Sequence, residues 1–121
     1  MSKKKITLKI IQNGNISNID IIGIKEENKL KFFLEQKKVT LLLNEDNIIM
    51  DRIIDNETYI KIIFDKNNPK AMCIMNNNTF DMNIEVNLLI IEKDKIIIKY
   101  KLEENEIDLE LKVGEIWLSK Y

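Results

Sequence analysis

Phe80-Asp81-Met82-Asn83-Ile84-Glu85-Val86 is the stretch on which the fold turns. Its apolar and polar residues alternate one by one. Successive side chains of a β-strand point to opposite faces, so this alternation describes a strand with one buried and one wet face. A helix would space its apolar residues three and four apart. One-sided burial is the mark of antiparallel sheet, because parallel strands are covered on both faces.

The same rhythm extends in both directions. Upstream, Ile6, Leu8 and Ile10 share a face, as do Leu30, Phe32 and Leu34, then Val39, Leu41 and Leu43, then Ile60, Ile62 and Phe64. Downstream come Ile96, Ile98, Tyr100 and Leu102, then Ile107, Leu109, Leu111 and Val113. Turn signals separate these rows. Asn13-Gly14 suits a type I′ hairpin, whose two central residues need positive φ. Asn76-Asn77-Asn78 tolerates left-handed backbone, and Asp65 to Pro69 reads as a loop. Gly23, inside an apolar row, predicts a bulge or sharp bend.

These rows predict an all-β fold, an antiparallel meander of about eight to ten strands spanning residues 1–121 as one domain. Short hairpins favour up-and-down order over Greek keys, and so many strands leave edges that closure into a barrel would protect. A helix over Asn28–Val39, with Leu30, Phe33 and Leu34 as its stripe, is the local alternative. Phe and Val favour the strand.

Composition narrows function by what is missing. The chain has no histidine, one cysteine (Cys73) and three glycines. Imidazole general bases and histidine metal ligands are therefore excluded, zinc lacks its thiols, and no glycine loop can cradle a phosphate. The three serines have no imidazole partner. Cys73 lies beside Met72 and Met75 and reads as a small buried hydrophobe. Acidic side chains such as Asp81 and Glu85 alternate outward from an apolar face, so a two-carboxylate enzyme is a weaker reading than a solvated face. No cofactor is expected.

With 19 basic and 20 acidic residues the net charge is −1, which gives no general field for nucleic acid or an anionic membrane. Lys3-Lys4-Lys5 reads as a frayed tail, and no apolar run reaches the roughly 18 residues of a membrane helix. A lone thiol makes no internal disulfide, so a cytoplasmic location is expected.

Ile, Asn and Lys dominate the chain, as an AT-rich genome would produce. Against that background Arg52, the one arginine among 19 basic residues, stands out. Asp51 and Arg52 interrupt an aliphatic strand and must point to opposite faces. The inward one needs a charge partner: a cross-strand ion pair near a barrel rim, or a bound anion. Phe32, Phe64, Phe80 and Tyr100 fall on apolar faces, which predicts core positions. Trp117, Leu118 and Tyr121 suggest a barrel cap or a homodimer contact.

Several of these segments together resemble a bacterial family of unknown function typified by YwiB, a calycin-like barrel. They are Gly23-Ile24-Lys25 with Leu30 to Glu35, Ile48-Ile49-Met50-Asp51-Arg52, Asn76 to Met82 with Asn78 in place of a glycine, and Lys95 to Leu102 with its central Tyr100. The chain departs from the pattern at Ile53-Ile54, where Ser-Gly is usual. The resemblance implies a calycin- or lipocalin-like barrel and no established activity. Barrels of about this size can hold one small ligand. The sequence thus predicts a non-enzymatic protein binding a small apolar ligand inside the barrel, with Arg52 or Tyr100 as polar anchor and Phe32, Phe80 and Met82 around it. The alternative is an interaction module acting through a barrel face or a homodimer.

Overall fold

A computed structural model of the chain describes residues 2–114, and the statements below concern those residues. They form eleven strands: β1 (Ser2–Gln12), β2 (Asn15–Glu26), β3 (Lys29–Leu34), β4 (Lys37–Leu43), β5 (Asn47–Ile53), β6 (Thr58–Asp65), β7 (Lys70–Met75), β8 (Asn78–Met82), β9 (Ile84–Ile91), β10 (Lys95–Leu102) and β11 (Asn105–Gly114). All ladders are antiparallel, in the order β8-β7-β6-β5-β4-β3-β2-β1-β11-β10-β9. Every ladder therefore joins strands consecutive in sequence, except where β11 returns to pair with β1 from Lys5↔Gly114 to Gln12↔Ile107; the consecutive β8 and β9 stand at opposite edges. The result is a nearly closed antiparallel barrel.

The hairpin tips follow the turn chemistry. Asn13 and Gly14 both have positive φ, as a type I′ turn requires. Glu35-Gln36 and Asn76-Asn77 make the same double excursion without any glycine. Residues 28–39 form the β3–β4 hairpin instead of the alternative helix. Leu30 and Phe32 are buried while Phe33 between them is exposed, which is period two. Lys3 to Lys5 are not a frayed tail. They belong to β1 and pair with Ile24 to Ile22 of β2.

Two places break the regular ladder. The first is Gly23. β2 and β3 pair only at Ile24–Glu26 with Lys29–Lys31. Before Gly23, β2 pairs with β1 alone, and from Phe32 onward β3 pairs with β4 alone. A Cβ at Gly23 would run into Cδ1 of Ile6 and stand 2.8 Å from the carbonyl oxygen of Lys31. The β1–β2 ladder keeps its register through Gly23, so the expected bulge is absent; the glycine is required by close approach, and the wall parts there.

The second break is Asn83. β8 pairs with β7, but β9 pairs with β10, so the chain crosses at Asn83 from one edge of the sheet to the other. The backbone N–H of Glu103 donates to the Asn83 carbonyl (2.8 Å). The Asn83 N–H and Nδ2 donate to the two carboxylate oxygens of Glu103 (3.1 and 3.3 Å). Beyond the crossing, β9 lies against β6 with no ladder between them. This crossing accounts for eleven strands where eight to ten were expected. The alternation through Met82, Asn83 and Ile84 stays in phase, so the pattern reads as one strand while its partner changes.

The core lies inside the barrel. Ile6, Leu30, Ile48, Phe64 and Leu111 are fully buried, each contributing about 1.5–3 kcal/mol by leaving water. Phe64 reaches across to Tyr100 in an edge-to-face contact with centroids 4.8 Å apart, which fills the β6–β10 side of the interior.

Candidate functional site

On the other side of the interior the side chains do not meet. β1 to β5, β10 and β11 enclose a cavity of about 200 Å³. Its floor is apolar and buried, formed by Leu8, Leu41 and Leu111, with Phe32, Val39 and Met50 on the walls. Its rim is polar and exposed: Gln12 ends β1, Ser17 lies on β2, and Glu35 opens the β3–β4 turn. Ser17 and Ile19 line it from one side of the Gly23 parting, and Phe32 and Leu34 from the other. The parted wall therefore borders the pocket.

Arg52 enters this space from β5. Its ladder partners are Val39 on β4 and Ile60 on β6, so it occupies an inward position among apolar neighbours, while Asp51 faces out opposite Thr40 and Lys61. The Nε of Arg52 is buried and makes no hydrogen bond, and among the described residues Arg52 forms no ion pair. Of the two partners that the sequence allows, the cross-strand ion pair is absent among the described residues. An arginine carries five donors and no acceptor; Arg52 is half-buried, and its buried Nε lacks the acceptor that burial ordinarily demands.

Tyr100 stands near it on β10. The β9–β10 ladder shifts at this point: Lys99 faces Leu88 but Tyr100 faces Val86, leaving Asn87 as the extra residue of a bulge. Bulges raise the local twist and re-aim side chains. Burial pushes the Tyr100 hydroxyl up to about 12, opposed by the positive charge of Arg52. The phenol is neutral at ordinary pH and can donate. Elsewhere Asp55 is held below the usual carboxylate range, first by the N–H of Glu57 (2.9 Å) and then by Thr58, which is turn chemistry at an exposed tip.

Of the residues the sequence singled out, the structure brings together Arg52, Tyr100 and Phe32. Phe80 and Met82 are on β8 and do not line the cavity. Phe80 has the inward phase, in line with Cys73, Ile60 and Arg52, yet it is 53% exposed and not a core residue. Its strand is an edge of the sheet. Glu35, Gln12 and Ser17 were missed, because polar residues beside turns look like ordinary tips. Cys73 is a free, half-buried thiol on β7. Among the described residues no cluster of acids and thiols could hold a metal ion, and no helix is long and apolar enough to cross a membrane. Trp117, Leu118 and Tyr121 lie outside the described residues.

Fold and cavity together define a nearly closed, eleven-stranded antiparallel barrel with one side of its interior unfilled. No protein-family model matches the sequence, and no curated protein matches it. Among solved structures the chain is similar to the crystal structure of the ywiB protein from Bacillus subtilis, with a TM-score of 0.63 over 95% of this chain and 94% of that one. The two are 14% identical, so the likeness is one of fold.

Proposed function

We propose that the protein is a lipocalin-like binder that holds a small, mostly apolar molecule inside the barrel, and that it acts by binding and not by catalysis. The observation that carries this reading is the cavity of about 200 Å³, with an apolar floor, a polar rim and an unpartnered arginine. About eight strands make a barrel that side chains just fill, and diameter grows with strand number. Eleven strands leave room even after Phe64 and Tyr100 have met across one side. An apolar cavity of about 150 Å³ is enough for a benzene-sized guest. The parting at Gly23 supplies a way in.

Binding is favoured over catalysis because, among the described residues, Glu35 is the one carboxylate on the cavity lining. A two-carboxylate mechanism needs a second that converges on it. A cytoplasmic setting accords with the single thiol.

Ligand-observed NMR with toluene tests this directly. Saturation transfer from the native protein is expected, together with its loss in Met50→Trp, where the indole would occupy the cavity. No transfer from a folded native protein would sink the proposal. Native mass spectrometry of freshly purified protein should also reveal a retained small mass.

A further inference from the structure

We propose that the pocket selects a monoanion, a carboxylate carried on a short apolar tail, and that the Arg52 guanidinium is the group that reads its charge. This rests on the reading of the cavity as a ligand site and adds the chemistry of its occupant.

Three features of the site converge on it. Arg52 faces in between Val39 and Ile60, its Nε is buried without an acceptor, and no carboxylate of the described residues pairs with it. Such a fork is complementary to a carboxylate, which can take two parallel N–H bonds from it. Tyr100 lines the same space and offers a neutral hydroxyl, a donor that adds no competing negative charge. The floor of Leu8, Leu41 and Leu111 offers nothing polar to a ligand.

Position orders the ligand. Arg52 is level with Val39, one step nearer the Glu35–Gln36 tip than Met50, which is level with Leu41. A carboxylate on Arg52 would therefore sit toward the rim, with its tail running inward to the leucines. Charge count then separates a carboxylate from a phosphate. One guanidinium neutralises one negative charge, and a phosphate dianion would leave a second in apolar surroundings. Glu35 at the rim adds repulsion against that second charge.

The experiment is isothermal titration of the native protein at pH 8 with hexanoate, 1-hexanol and hexyl phosphate, which share one tail. Hexanoate is expected to bind at least tenfold more tightly than hexanol, with hexyl phosphate weaker than hexanoate. In Arg52→Met, hexanol binding should persist while hexanoate falls to the hexanol level. Arg52→Lys, which keeps the charge but loses the fork, should fall between. Equal binding of hexanoate and hexanol to the native protein would overturn the charge selectivity and leave the ligand pocket standing. Tightest binding by hexyl phosphate would overturn the monoanion assignment. Binding of none of the three would overturn the pocket reading and this inference with it.

Discussion

The barrel wall is interrupted at Gly23 and at Asn83, and the two interruptions are opposites. At Gly23 a side chain is missing, Ile6 and Phe32 close into the vacated space, and two neighbouring strands part. At Asn83 side chains are present and bonded, with Glu103 gripping both the backbone and the amide, and the chain is passed from β7 to β10. One opens the wall beside the cavity; the other carries the sheet round toward closure. A ladder can be broken by steric absence or redirected by added hydrogen bonds, and the two should respond differently to mutation.

The largest effect should come from filling the absence. Gly23→Val places methyl groups where Ile6 and the Lys31 carbonyl already are, and overpacking of that kind costs about 3 kcal/mol. The denaturant midpoint should fall sharply. A midpoint unchanged from the native protein would mean that the parting does not depend on close approach.

Next comes the side of the barrel that β9 and β10 close. Tyr100 holds its proton to about 12, whereas an unfolded tyrosine releases it near 10. Below pH 10 both states are protonated and the full stability is present. Between pH 10 and 12 the unfolded state ionises first, so stability falls with rising pH, by roughly 2 kcal/mol. Tyr100→Phe should remove that part of the alkaline loss, as read from urea midpoints at pH 9 and 11. Identical slopes for the two proteins would place Tyr100 in a wetter setting than its burial implies.

Releasing the grip at Asn83 should cost less, because its hydrogen bonds are exposed. Glu103→Ala is expected to lose about 1 kcal/mol. Amide exchange should quicken in β8 while β1 and β2 stay protected. Uniform change across all strands would show that the crossing is not a local clamp.

The smallest effect belongs to the tip of the hairpin that forms one lip of the parting. Gln36 has a φ of 66°, and Gln36→Gly should stabilise by about 0.5 kcal/mol through relief of left-handed strain, offset in part by unfolded-state entropy. A modest rise in melting temperature checks it.

Much of this was legible in the residues themselves. Alternation located β1, β3, β4, β6, β10 and β11 and the run shared by β8 and β9, Asn13-Gly14 announced its turn, and Gly23 announced a place where the wall changes. Arg52 was conspicuous because a guanidinium inside an aliphatic row has to be accounted for. What stayed hidden has a common physical origin. Alternation says which way a side chain points, but not whether anything stands opposite. Phe80 has the inward phase on an edge strand yet is exposed, and Asn83 changes partners without disturbing the phase. Arg52 lacks its ion pair because every inward position around it in register happens to be apolar. Glu35 and Ser17 become rim residues only when the wall parts beside them.

The return of β11 to β1 has a consequence for how the molecule is made. Every other ladder joins strands consecutive in the chain, so hairpins can form one after another as residues leave the ribosome. The β1–β11 ladder cannot form until residue 114 has emerged. Until then β1, rich in isoleucine, keeps an open edge through the whole period of synthesis. The three lysines at its start put repulsive charge on that waiting edge, a means of keeping it from pairing with another nascent chain.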